Sequence, residues 1–198
     1  MAFLIGVAGL TLALSGGYIH AKAAVAQMLI ERAWRLAANA GEAPKPWPWA
    51  DTRPVAVLEA PRLGKRLVAL EGDSGRTLAF GPGHASGSAM PGAPGVAIFS
   101  GHRDTHFSFL RWLHKGDILL ARTSPGEVIV YRVVSMEVAD SQTASIVDEG
   151  DEAMLALVTC WPFDAVIPGG PMRYVVMAAV VGRMPDNVHL EPNGQTKL

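Results

Sequence analysis

The chain has 198 residues, of which 49% are apolar and 18% charged, and its 17 lysines and arginines nearly balance 18 aspartates and glutamates. Soluble domains carry about 25% charged residues, so this chain is unusually apolar, and a net charge of −1 offers no basic surface for nucleic acid. No G-x-x-x-x-G-K-S/T loop and no G-x-G-x-x-G after a strand pattern supports nucleotide binding.

Ala2–Ile19 holds 18 residues without a charge. That length is at the lower edge of the roughly 17–25 residues that cross a bilayer, and Gly6, Gly9, Gly16 and Gly17 are better tolerated in a membrane helix than in a soluble one. An uncleaved single-pass anchor is favoured over a cleaved signal peptide, with Ala24-Val25-Ala26 as its site, and over a buried core helix. Lys22, Arg32 and Arg35 follow the segment and no basic side chain precedes it, a bias that would keep the remainder cytoplasmic.

His20 to Ala40 reads as a second helix, with Val25, Met28, Leu29, Arg32, Ala33 and Leu36 at amphipathic spacing. Trp34, Arg32 and Arg35 suit a helix on a membrane surface; equally, the stripe suits packing on the domain that follows. Gly41 stops the helix, and Pro44, Pro46 and Pro48 prevent its return. Trp47 and Trp49, set between prolines, predict a stiff, extended segment docked in a groove of its own domain or at headgroup level.

From Pro54 the pattern becomes β. Val55–Glu59, Arg66–Leu70, Gly95–Ser100, Asp117–Arg122, Glu127–Val134, Met154–Thr159 and Arg173–Val181 read as strands, with Ser124-Pro125-Gly126 as a hairpin turn. Gly75 to Pro94 reads as turns with one helical turn, and the polar tail from Pro185 as frayed. The expected architecture is all-β, a closed barrel or sandwich over residues 54–184. It follows an anchor over 1–19 and a juxtamembrane stretch over 20–53, and precedes a tail over 185–198.

Cys160 is the only cysteine, so the chain has neither an internal disulfide nor an all-cysteine zinc site. It is either apolar filler or a thiol kept for reactivity. A thiol with an ordinary pKa near 8.5 needs a cation or base to act at neutral pH. Ser100 to Phe107 follows a strand and carries His102 and His106, where the strand fixes the backbone and a loop leaves side chains accessible. A histidine there can favour the thiolate and then protonate a leaving amine. Arg173, 13 residues after Cys160, can return across the loop Trp161–Met172 to supply a permanent oxyanion donor. His102 and His106 lack the intervening glutamate of H-E-x-x-H, and a strand-end loop does not align i, i+4 on one face, so no metal is expected. Asp148, Glu149, Asp151 and Glu152 read as a solvated turn, while His20, His84, His114 and His189 are isolated.

Ile98 to Phe107, with Leu110 and Gly116-Asp117 behind it, resembles the histidine motif of sortases. Leu155 to Cys160 resembles their L-x-T-C nucleophile motif, and Arg173 stands where their active-site arginine does. The helix before Trp34, Pro46–Thr52 and Gly81-Pro82-Gly83-His84 resemble the Gram-negative branch called class GN.

The resemblance implies a closed eight-stranded β-barrel with short helices, and a cysteine transpeptidase. Cys160 would attack the threonine carbonyl of an L-P-x-T-G-like signal near the C-terminus of a secreted protein. The resulting thioacyl enzyme would be resolved by an amine acceptor, with no cofactor. His102 would act as general acid and base, Arg173 would orient substrate or stabilise the oxyanion, and Thr159 would support either. Asp104 could orient His102 as a third triad member would. An anchored enzyme of the inner membrane facing the periplasm is implied, against the charge bias around residues 2–19. A silent membrane-tethered peptide-binding barrel and an L,D-transpeptidase-like enzyme are the alternatives, the latter disfavoured by the 58 residues between His102 and Cys160.

Overall fold

The computed structural model describes residues 21–37, 41–123, 126–146, 151–167, 169–185, 189–190 and 196–197. The expected anchor at Ala2–Ile19, the turn residues Ser124 and Pro125, and the acids Asp148 and Glu149 lie outside the described residues. Among those described, no helix is long and apolar enough to cross a membrane.

Eight strands close into a barrel: β1 (Pro54–Ala60), β2 (Lys65–Glu71), β3 (Gly83–His84), β4 (Gly95–Ser100), β5 (Ile118–Thr123), β6 (Glu127–Asp140), β7 (Ala153–Cys160) and β8 (Met172–Pro185). The order round the ring is β1-β2-β3-β4-β7-β8-β6-β5, and pairing of β1 with β5 closes it. Alternation along the strands turns Phe99, Tyr131, Leu155, Leu157 and Val176 inward, where Phe107 and Leu110 complete one core. The seven strands expected from the sequence all form.

Three features depart from expectation. β3 lies within the stretch read as turns, since Gly-His has no β-branched pattern; it bridges β2 and β4 by backbone pairing, with the His84 ring 5.1 Å from that of Phe99. β6 and β8 run 14 residues each and pair along their whole length, with register shifts at Val130/Tyr131 and Val133/Ser135 that let two long strands wrap the wall. In the tail read as frayed, β9 (His189–Leu190) pairs antiparallel with β10 (Thr196–Lys197).

Residues 21–37 form the helix α1, and Gly41 (φ +77°) ends it by donating its N–H to Ala37 O at 3.0 Å. The buried stripe is Ala26, Ile30, Ala33 and Ala37, not the run through Val25, Met28 and Leu36, which stays exposed. Alanines at this spacing bring the helix backbone close to the barrel, and Ile30 fits among Val57, Val68 and Leu70. Gln27 donates to Phe80 O and Arg66 to Glu31, fixing the helix across β1 and β2.

The Pro/Trp segment is not extended. Ala50 N–H closes a turn onto Trp47 O at 3.0 Å. Trp47 docks edge-on to Phe80 with centroids 5.2 Å apart, whereas Trp49 points into solvent. The helical turn expected between Gly75 and Pro94 is α2 (Gly75–Leu78), capped by the Ser74 hydroxyl accepting from Thr77 N–H.

Candidate active site

Two strand ends bring Cys160 and His102 level. β4 and β7 run parallel with Ser100 opposite Val158, and Gly101 N–H extends their ladder to Val158 O at 3.0 Å. His102 and Cys160 each stand two residues beyond that pair, so they leave adjacent strands at one height. Leu155 and Leu157 face the core, which turns Cys160 to the other face of the wall, half-buried.

Arg173 enters from the other side. β7 and β8 are antiparallel, and their last pair is Cys160 opposite Arg173. Directly opposed cross-strand residues hold their Cβ atoms about 4.5–5.5 Å apart, so the guanidinium starts beside the thiol. Arg173 Nη1 donates to Gly170 O at 2.8 Å and Met172 O at 2.9 Å. Its Nε and Nη2 hold no hydrogen bond among the described residues, leaving a free edge of donors.

Thr159, expected to support the substrate or the oxyanion, has its hydroxyl engaged within the wall. It is 2% exposed, and its hydroxyl donates to Gly101 O at 2.6 Å. Its oxygen works inside the wall, stapling β7 to the residue before His102.

The histidine loop folds over Gly101. A Cβ there would stand 2.7 Å from the Phe107 ring, and buried Phe107 donates its N–H to His102 O at 3.0 Å. His102 is exposed. His106 is half-buried, and burial first, then the charge of His102, hold it below the ordinary imidazole range. Both effects favour the neutral form of His106. Among the described residues no group of three potential ligands forms a metal site. Asp104 does not orient His102: its exposed carboxylate lies 3.5 Å from Arg103 Nε.

Arg103 is the site residue that sequence reasoning missed. Only 5% exposed, it donates to Pro162 O at 2.9 Å, Ala165 O at 3.0 Å and Ile167 O at 3.5 Å. The loop after Cys160 is thus held by Arg103 along its first half and Arg173 at its end. In sequence, an arginine between a histidine and an aspartate looks like an ordinary solvated charge. Trp161 stacks on Tyr174 and both meet Phe163 edge-on, at 5.2–5.7 Å between centroids, with Arg111 4.7 Å above Phe163. Burial pushes the Tyr174 hydroxyl pKa up. The three rings, with Arg111, Trp112 and Asp164, line a groove of about 400 Å³, and Trp161 and Tyr174 are the chain neighbours of Cys160 and Arg173.

The arrangement supplies what acyl transfer needs: a thiol, an imidazole at its level and a guanidinium opposite. The family model for the sortase domain matches residues 58–181. Sortase D of Bacillus subtilis (strain 168) is 35% identical over 121 residues, which span 61% of this chain and 60% of that relative. The Clostridium perfringens Sortase D5 transpeptidase superposes with a TM-score of 0.64 at 22% identity, covering 80% of this chain and 99% of that one, a likeness of fold. Sortase A from Corynebacterium diphtheriae superposes at 0.62 with 26% identity over 73% of this chain and 66% of its own. These relatives are sortases D, D5 and A, and they lend no support to the class GN likeness. With a family model matched over more than half its length, across the barrel and all three motifs, this chain belongs to the sortase family.

Proposed function

We propose that the protein is a cysteine transpeptidase acting on an L-P-x-T-G-like sorting signal, with Cys160 as nucleophile. The observation that carries this is the register: Cys160 opposite Arg173 on β8, and level with His102 beyond β4. The Cys160 thiolate attacks the threonine carbonyl, forming an S–C bond, and the Arg173 donors stabilise the oxyanion. Collapse breaks the peptide C–N bond, and His102 as imidazolium gives its proton to the leaving amine. An acceptor amine then attacks the thioester, loses a proton to His102 and releases the thiolate. Thr159 acts as a positioning residue, keeping the histidine strand against the cysteine strand.

Ala2–Ile19 is uncharged and long enough to tether the enzyme, and a transpeptidase of secreted proteins works where they pass, so this reading sets the barrel on the outer side of the membrane, against the charge bias of Lys22, Arg32 and Arg35. Protease accessibility of the barrel in intact spheroplasts checks the orientation; protection would reverse it.

The central test incubates wild type and Cys160→Ala with a fluorogenic sorting peptide and an amine acceptor. Cleavage with acceptor-dependent product in wild type only is expected; equal turnover by both would end the cysteine mechanism. A Cys160 inert to thiol-reactive probes would instead favour a silent peptide-binding barrel.

A further inference from the structure

α1 turns toward solvent the side chains that an amphipathic helix ordinarily buries. Met28 is 62% exposed, Val25 48% and Leu36 45%, while alanines and Ile30 face the barrel. At 3.6 residues per turn, these three and Leu29 share one arc of about 140° with Lys22, Arg32 and Arg35. All three cations on that arc are exposed. Glu31, the only acid of the helix, lies off the arc and pairs with Arg66 at 2.5 Å.

The arc continues into an apolar groove of about 720 Å³ between the start of α1, Trp47–Thr52 and Ala79–Phe80. At its rim Trp49 stands 80% exposed. Asp51, the acid in the lining, is bonded to Arg76 at 2.9 Å. Apolar surface of this extent marks a docking face. Its occupant follows from two features: the unneutralised positive charge among the apolar side chains, and the uncharged Ala2–Ile19, which lies just before the described part of α1 in sequence.

We propose that the outer arc of α1 and Trp49 seat the barrel on an anionic bilayer. Val25, Met28, Leu36 and Trp49 enter the headgroup–acyl boundary, and Lys22, Arg32 and Arg35 lie among lipid phosphates. The seat rests on the membrane-tethered reading for the presence of the bilayer, and adds a fixed orientation. α1 packs on β1 and β2, and round the eight-strand ring β7 stands four positions from β1, and β8 four from β2, in either direction. Seating therefore turns the wall with Cys160 and Arg173 away from the lipid, open to an arriving peptide.

The test uses the full chain with Cys160→Ala, which leaves it free of cysteine, in phosphatidylcholine vesicles with and without phosphatidylglycerol. An environment-sensitive fluorophore is attached at Met28→Cys, Trp49→Cys or, on the loop beyond β7, Val166→Cys. Flotation reports the tether, and quenching by lipids brominated high on the acyl chain reports the seat. Expected is at least about twofold stronger quenching at 28 and 49 than at 166, increased by phosphatidylglycerol and reduced by Lys22→Glu/Arg32→Glu/Arg35→Glu. Flotation with equal, weak quenching at all three positions overturns the seat and leaves the tether standing. Loss of flotation overturns both. Shielding at 28 and 49 without lipid quenching means that protein, from this chain or a second copy, covers the face, and also overturns it.

Discussion

The Arg103 guanidinium donates to Pro162 O at 2.9 Å, tying the residue after His102 to the loop that follows Cys160. The proposed acid–base group and nucleophile thus sit on segments joined by one buried cation. Without it, three loop carbonyls lose a charge-assisted donor, each worth about 1.5–3 kcal/mol in folded proteins. Arg103→Met should lower the melting temperature and reduce kcat/KM of peptide cleavage at least about tenfold. Arg103→Lys, a point charge without the planar fork, should restore only part of the loss. Wild-type kinetics in a folded Arg103→Met protein would show that the tie has no part in the chemistry.

Arg173 and His102 should behave as members of one catalytic unit. Loss of an oxyanion donor raises a barrier by about 2.7–4 kcal/mol, so Arg173→Ala and His102→Ala should each lower kcat on the order of 10²–10³-fold. Arg173→Lys should recover little, since the backbone carbonyls of Gly170 and Met172 already take Nη1 and a lysine has no second edge to offer. Single-turnover cleavage with burst analysis measures these losses, and near wild-type acylation in either alanine variant would remove that residue's role.

Gly101 is required by contact rather than by backbone angle. A methyl there would stand 2.7 Å from the ring of buried Phe107, whose backbone N–H also donates to His102 O. Gly101→Ala should cost about 1–3 kcal/mol through overpacking and displace the histidine loop. Urea denaturation measures the first effect, and a fall in kcat beyond what unfolding explains measures the second. Pairing Gly101→Ala with Phe107→Leu should recover part of the activity; no recovery would place the strain elsewhere.

How much of this was legible in the chain follows from the kind of signal each feature leaves. Strands such as Glu127–Val134 and Met154–Thr159 carry β-branched alternation and were readable, as was the lone thiol with its distant histidine and arginine. β3 was not, because two residues held by backbone pairing leave no side-chain pattern. For α1 the sequence left two uses open for the Val25, Met28 and Leu36 stripe, a membrane surface or packing on the domain; the packed face lies about one residue step away, because a scale of apolarity ranks Met28 and Leu36 above Ala26 and Ala37. Close approach to a barrel selects for small size instead. The Thr159 hydroxyl and the Arg103 fork depend on which carbonyl lies across a gap of some 60 residues, and one-dimensional spacing does not encode that.

Two ionisable groups should give the stability curve two separate acid steps. His106 is half-buried, and burial, then the charge of His102, lower its pKa from 6.5. The unfolded chain therefore binds the proton first, so its contribution is complete above about 6.5 and declines as pH falls toward the lowered folded value. Asp117 titrates later. Burial alone would raise its carboxyl pKa, but the hydrogen bond from Arg62, the His114 N–H and the Arg62 charge outweigh it and bring it below 3.8. Its contribution is present above about 3.8 and is lost as pH falls through the depressed folded value. Urea midpoints measured from pH 8 to 2 should show a shallow decline beginning near 6.5 and a second below about 4. His106→Phe should flatten the first decline alone, and Asp117→Asn the second alone. A first decline that persists unchanged in His106→Phe would mean that another group in the fold, and not this imidazole, takes up the proton.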